Sequence, residues 1–346
     1  MSEKKDPFFR TLEENMKYIN KLNYKFTLII IVLLFILYNI CNTHLFSYKK
    51  ASYNLKENPQ DIHVLFYIND NYAKFLSVTM LSILSNTQER LHFHILHNGI
   101  SPKNKNKLIS IKNIHSFSLE FIYVNDKRIS SIIKSLTSQV HNISYYRLLA
   151  SSIKSNLDKC ILSDVDLVFI SDIAELWNIN IEDKYLAAVP DPTRKSLEFR
   201  WIDKLNLPKN YVYFNSGILS ANLKKWREDN IERKIFENNN KYFLKLGYPD
   251  QDLLNITMKD KIKYLNPKFN AMPILKYHDI NEKKMAFDNP VVIHWAGMYK
   301  PWNTRQIEKK ELFWKYAELS PFYFEILVDY YINSIKSIGK KFPDYK

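Results

Sequence analysis

From Asp61 onward the chain alternates two kinds of hydrophobic stretch. IHVLFYI (62–68) is a short, continuous apolar run, as expected of a strand covered on both faces. In YAKFLSVTMLSILSN (72–86) the apolar positions recur at helical spacing. LHFHIL (91–96) alternates and stops before Asn98-Gly99, a turn signal. SPKNKNKLISI (101–111) opens with Ser then Pro, the preferred order at a helix start. SLEFIYV (118–124) reads as a strand again. This β-α-β-α-β order predicts a parallel sheet with helices on its faces. Such sheets take their ligands beyond the carboxyl ends of the strands. Further on, YVYFNSGIL (211–219) reads as an aromatic strand running into Asn-Ser-Gly. GYPDQDLLN (247–255) sets a Pro and then acids at a helix start, and VVIHWAGMYKPW (291–302) reads as a strand ending in His294.

The N-terminal pattern is different. Residues 26–48, FTLIIIVLLFILYNICNTHLFSY, hold no Lys, Arg, Asp or Glu and are apolar on all sides. A helix needs about 20 such residues to cross a bilayer. The polar leader, 1–25, carries six Lys/Arg against three soon after the run. The expectation is a single-pass signal anchor of type II orientation, with the membrane as a partner. Residues 49–60 read as a stem, 61–302 as the main domain, and 303–346 as an aromatic, partly basic helical extension. That extension either docks on the main domain or lies on a membrane surface. The domain would face the Golgi or secretory lumen in a eukaryote, or the cytosolic face of the inner membrane in a bacterium.

Composition narrows the chemistry. A formal net charge of +14 points to an anionic partner. No Arg-rich tract, zinc-knuckle spacing or RNP-like string accompanies it, which argues against nucleic acid. Cys41 and Cys160 are too few for a disulfide framework or a cysteine metal site. Glycine occurs at 99, 217, 247, 297 and 339 only, and no G-x-G-x-x-G or P-loop can be built from these. A nucleotide bound here is not cradled by a glycine loop.

CILSDVDLVF (160–169) then stands out, because two acids interrupt an apolar run. In an extended segment residues two apart point the same way, so Asp164 and Asp166 would converge past the strand KCIL. Two like charges there need a cation, since burying a carboxylate without a partner costs several kcal/mol. A solvated loop is the plain alternative. A second D-x-D, at Asp250 and Asp252, shows how readily the pattern arises.

Taken in order, INDNYAKFLSVTMLSIL, ISYYRLLA (143–150), LSDVDLVFISDIAELW (162–177), FNSGILSANLKKW (214–226), PDQDLLN and HWAGMYKPW resemble glycosyltransferase family 8, and within it the bacterial lipopolysaccharide α-galactosyltransferases and α-glucosyltransferases. The resemblance spans Asp61 to Trp302. It implies a Rossmann-like, type A nucleotide-sugar-binding α/β fold. It also implies a retaining hexosyltransferase that moves Gal or Glc from UDP-galactose or UDP-glucose to a glycan or glycolipid hydroxyl. Asp164, Asp166 and His294 would hold Mn²⁺, and two carboxylates with an imidazole suit Mn²⁺ better than Mg²⁺. Lys300 would meet the phosphates and Gly297 would let the backbone approach them. Asn71 and Tyr72 would contact the nucleoside. Asn69-Asp70 stands where relatives commonly carry two Asp, and the Asn69 amide still offers a base a donor and an acceptor. Arg147 would reach the donor sugar or hold nearby acids. Asp191, Asn215, Asp250 and Gln251 would line the sugar pocket, with Gln251 near the anomeric carbon. Asp252 reads equally well as a first-turn acid at a helix N-terminus.

Two rivals remain. DVDLV also fits a haloacid-dehalogenase-type phosphatase, with Asp164 as nucleophile. That family wants a downstream Gly-Asp, and no glycine here precedes Asp. A catalytically weak, membrane-tethered glycan-binding protein on a transferase fold is the other, and missing metal ligands would favour it.

Overall fold

In the computed structural model, residues 58, 60–129, 139–194 and 203–337 are described. The first strands form where the apolar runs predict them: β1 (Ile62–Ile68), β2 (Leu91–His97) and β3 (Ser118–Tyr123). They are followed by β4 (Lys159–Ser163), β5 (Leu167–Phe169), β6 (Leu186–Ala188), β7 (Ile218–Asn222), β8 (Ile262–Tyr264) and β9 (Val292–His294). Seven of them make one sheet in the order β3-β2-β1-β4-β7-β6-β8, and β5 pairs with β9 in a second sheet.

The sheet is mixed rather than parallel. β3, β2, β1 and β4 run parallel, but β7 enters antiparallel to both β4 and β6. The strand expected over 211–219 is shorter and later: Tyr211–Gly217 is irregular apart from a bridge between Phe214 and Pro190, and pairing begins at Ile218. Strand polarity depends on the path between strands, which hydrophobic period does not encode.

Every residue of β1 is buried, because both faces of the sheet are covered. Alternate residues divide between two cores. Val64, Phe66 and Ile68 pack with helix α1 (Ala73–Leu84), and Leu65 and Tyr67 pack with Leu148, Trp226 and Leu253. Helix α2 (Pro102–Ser110) starts as its sequence predicts, with Pro102 in the first turn and Ser101 Oγ accepting from the Asn104 N–H. All of α1 except Lys74 is buried, since helices α3 (Lys310–Ala317) and α4 (Tyr323–Ser337) lie over its outer side. Trp302 stacks on Phe75 at 3.8 Å, Ser320 meets Ser77, Lys107 pairs with Glu325 at 2.8 Å, and Lys74 pairs with Asp329.

The membrane expectation is corrected. Among the described residues no helix is long and apolar enough to cross a membrane. The run that prompted the expectation, 26–48, and the leader and most of the stem lie outside those residues. Neither a signal anchor nor a location is carried forward.

Candidate active site

β1 and β4 are parallel neighbours, while β2 follows β1 on the other side, so the order in which strands are added reverses between β1 and β4. Ligands bind at such switch points, beyond the strands' carboxyl ends. Asn69–Tyr72 follow β1 and Asp164–Asp166 follow β4. Residues 164–166 form a bend rather than extended strand, so the two carboxylates meet through the turn and not through period two. The β5–β9 pairing sets Leu167 opposite His294, and Trp295 N–H donates to Asp166 O at 3.0 Å. One oxygen each from Asp164 and Asp166 and one His294 ring nitrogen thereby lie within 4.8 Å of one another.

The surroundings show what the trio is built to hold. Asp164 accepts from Arg147 at 2.5 Å and from the Tyr67 hydroxyl. Burial pushes its carboxyl up, and the neighbouring Asp166 adds to that. At Asp166 burial works in the same direction, but the Lys300 ammonium and then His294 outweigh it and hold the group well below the usual carboxylate range. His294 Nδ1 is bonded to Asn270 Oδ1 at 2.9 Å. Its Nε2 is buried without a hydrogen bond, 3.3 Å from Asp166 Oδ1. A buried orphan nitrogen facing two carboxylates fits a divalent cation, whose binding would satisfy all three.

Arg147 is buried beside the trio. It is 2% exposed, sits over the Tyr67 ring at 4.3 Å, donates to Ser144 O and Ser216 O, and bridges Asp164 to Asp250, 3.2 Å from its Nε. The other expected residues take varied places. Gln251 is buried and accepts from Ser216 N–H at 2.8 Å. Asp191 accepts from Thr193 through Oδ1 and from Asn215 Nδ2 through Oδ2. Asn69 caps the turn at Asp70–Tyr72 by accepting from Tyr72 N–H, and Asn71 is exposed. The Tyr72 phenol is raised by burial, then by the charges of Asp166 and Asp164. Asp70 turns to α2 instead, where its Oδ1 accepts from Ser101 and Asn104. Lys300 also donates to Trp295 O at 2.7 Å. Gly297 has φ +98°, which a side chain would strain. Asp252 is a buried anchor that accepts from Gly247 and Tyr248 N–H and from Tyr213.

Sequence reasoning missed Tyr67, Gly217 and Asn270. Tyr67 is hidden inside an apolar strand, though its period-two phase assigns its face. Nothing local marks Asn270. A second trio, His63, His92 and His94, also places ring nitrogens within 4.8 Å of one another. It lies toward the start of β1 and β2, away from the switch point.

The family model described as "Glycosyl transferase family 8" matches residues 63–306. A putative glycosyltransferase of Haemophilus influenzae is 33% identical over 249 residues, covering 71% of this chain and 74% of that protein. A lipopolysaccharide 1,2-glucosyltransferase of Escherichia coli is 27% identical over 255 residues, covering 70% and 74%. The crystal structure of the galactosyltransferase LgtC in complex with donor and acceptor sugar analogs superposes with a TM-score of 0.66 at 28% identity, covering 75% of this chain and 96% of that one. With the metal trio assembled and not missing, the reading as a decayed binding protein loses its ground. This chain belongs to glycosyl transferase family 8 and is a retaining glycosyltransferase of type A α/β fold with an Asp-Asp-His cation cluster.

Proposed function

We propose that the enzyme transfers galactose or glucose from its UDP-sugar to a hydroxyl of a glycan or glycolipid, with Mn²⁺ as the cation held by Asp164, Asp166 and His294. The observation that carries this reading is the convergence of two carboxylate oxygens and one buried, unbonded imidazole nitrogen at the switch point of the sheet. The names of the relatives, a lipopolysaccharide glucosyltransferase and a galactosyltransferase bound to sugar analogs, support the substrate classes. The catalytic domain is taken as 61–302. When bound, the cation neutralises a diphosphate leaving group.

The residues of this chain divide the remaining work. Lys300, on the loop after β9, is placed to exchange its carboxylate partner for a phosphate oxygen. Gly297 allows close approach of the backbone there. Asn69, Asn71 and Tyr72 form the nucleoside side, and Asp70 braces that turn against α2. Arg147 orients Asp250 and Asp164 together, so the sugar-binding acid and the cation-binding acid keep a fixed spacing. Asp191, Asn215 and Asp250 take the donor hydroxyls. Gln251, held by Ser216, presents an amide oxygen to the anomeric carbon. An amide is a poor nucleophile, and front-face displacement through an oxocarbenium-like ion pair follows as the route to retention.

The test is hydrolysis and transfer with a panel of UDP-sugars, with and without Mn²⁺, followed by linkage analysis of the product. The expected result is Mn²⁺-dependent turnover of UDP-galactose or UDP-glucose. Wild-type turnover in the Asp164→Ala/Asp166→Ala double variant would sink the cation assignment.

A further inference from the structure

His294 can serve the cation only through Nε2, and only while that nitrogen carries a lone pair. A neutral imidazole has one N–H and one acceptor, and which nitrogen holds the proton is set by what the other bonds. The structure contains a chain of amides that decides this. Asn215 is anchored at both ends: its Nδ2 faces the acceptor-only carboxylate of Asp191 at 3.2 Å, and its Oδ1 accepts the backbone N–H of Gly217 at 2.9 Å. The Asn270 atom that meets Asn215 Oδ1, at 3.0 Å, must then be the Nδ2 donor. Asn270 therefore presents its Oδ1 to the imidazole, 2.9 Å from Nδ1. An oxygen there demands a proton on Nδ1 and leaves Nε2 as the acceptor. The backbone N–H of Gly217, which cannot reverse its polarity, fixes the direction of the whole chain.

Burial closes off the alternatives. Asn270 and His294 are 0% and 1% exposed, so no bulk water competes for these bonds. Asn270 ends the turn Pro267–Asn270, and the adjoining Ala271 is laddered to β9 on both sides, by Ala271 N–H to Val292 O at 2.9 Å and His294 N–H to Ala271 O at 2.8 Å. The ring also rests against Gly217, where an added Cβ would come within 2.2 Å of His294 Cε1. Rotation toward β7 is therefore barred.

We propose that Asn270 is a positioning residue for the cation site: it holds His294 as the Nδ1–H tautomer with Nε2 directed at the metal, and Asn215 with the Gly217 backbone sets its orientation. The inference rests on His294 being a ligand. Partners of this kind on ligating histidines typically change metal affinity by about 10–100-fold when removed.

Two measurements test it. The first needs no variant: two-bond ¹H–¹⁵N correlation spectra of the metal-free, histidine-labelled protein report the tautomer of each ring. The expected pattern for His294, assigned by its loss in His294→Ala, is Nδ1–H. An Nε2–H pattern overturns the proposal. The second is Mn²⁺ affinity, by electron paramagnetic resonance of free Mn²⁺, in wild type, His294→Ala, Asn270→Leu and Asn270→Asp. Asn270→Leu should weaken binding about 10–100-fold. Asn270→Asp keeps an acceptor toward Nδ1 but sets a second oxygen against Asn215 Oδ1, and should fall between wild type and Asn270→Leu. Undiminished binding in Asn270→Leu, where His294→Ala binds weakly, removes the relay but not the ligand. Undiminished binding in His294→Ala removes the ligand assignment itself.

Discussion

The two trios of ligand-type side chains are alike in spacing and differ in charge and in the partners around them. At Asp164, Asp166 and His294, neighbouring groups occupy the outward atoms: Arg147 and Tyr67 bond Asp164, Lys300 bonds Asp166, and Asn270 bonds His294 Nδ1. The atoms that face one another are acceptors with no donor between them. At His63, His92 and His94 two of the three rings spend facing nitrogens on each other. His63 Nδ1 and His94 Nε2 are 3.0 Å apart, His63 Nε2 reaches Asn58 O at 3.1 Å, and His94 Nδ1 reaches Glu120 at 3.0 Å, which Lys154 also binds. The His92 and His94 rings stack at 4.3 Å. Proximity of ligands is common to both; two carboxylates converging with an imidazole nitrogen belong to the first alone.

The comparison breaks if metal-dependent behaviour follows the histidine trio. The largest effect is expected from Asp164→Ala/Asp166→Ala, which should lower cation-dependent sugar turnover by at least ~10²-fold, the scale of losing a charge-stabilising element in an active site. His63→Leu should leave that turnover in place. Next comes Gly217→Ala: its methyl has to push the imidazole aside, and Mn²⁺ affinity measured by calorimetry should fall about 10-fold or more. Third, His63→Leu should lower unfolding free energy in urea by about 1–3 kcal/mol, because His94 loses a buried partner, with no change in Mn²⁺ affinity. A shared loss of affinity would show that the two trios are one system.

The smallest effect is a pH slope. The hydrogen bond from His94, helped by Lys154 against the effect of burial, draws the Glu120 carboxyl from 4.5 down to about 2. A carboxyl depressed in the folded state stabilises above its unfolded value, and that contribution disappears as pH falls. The melting temperature should therefore decline between pH 4.5 and 2 more steeply in wild type than in Glu120→Gln. Equal slopes would show that the histidine trio lacks this ionic partner.

The sequence was most readable where local forces decide. β1 and α1 came out almost to the residue, because a run buried on both faces and a helical period leave little choice. Ser101 and Pro102 marked a true helix start for the same reason. The antiparallel entry of β7 was invisible, since it depends on how the chain returns after β6. Asp164 and Asp166 were found, but the reason for their convergence was wrong: a bend joins them. Arg147 could be read as reaching the donor sugar or as holding nearby acids, and in the fold it pairs with Asp164 and Asp250. Asn270 had no local signature at all. Its importance lies in an unbroken line of donors and acceptors through Asn215 to a backbone N–H, and such a line exists only after distant segments have packed.

The short β5–β9 ladder has a consequence for the order in which the protein is made. Both aspartates leave the ribosome well before β9, and until Val292–His294 emerges the imidazole and the strand that completes β5 are both missing. A chain synthesised only that far carries both acids but not the third ligand. The full set of three ligands exists only once β9, the last strand among the described residues, has been made, and the residues that finish the small sheet are the ones that complete the set.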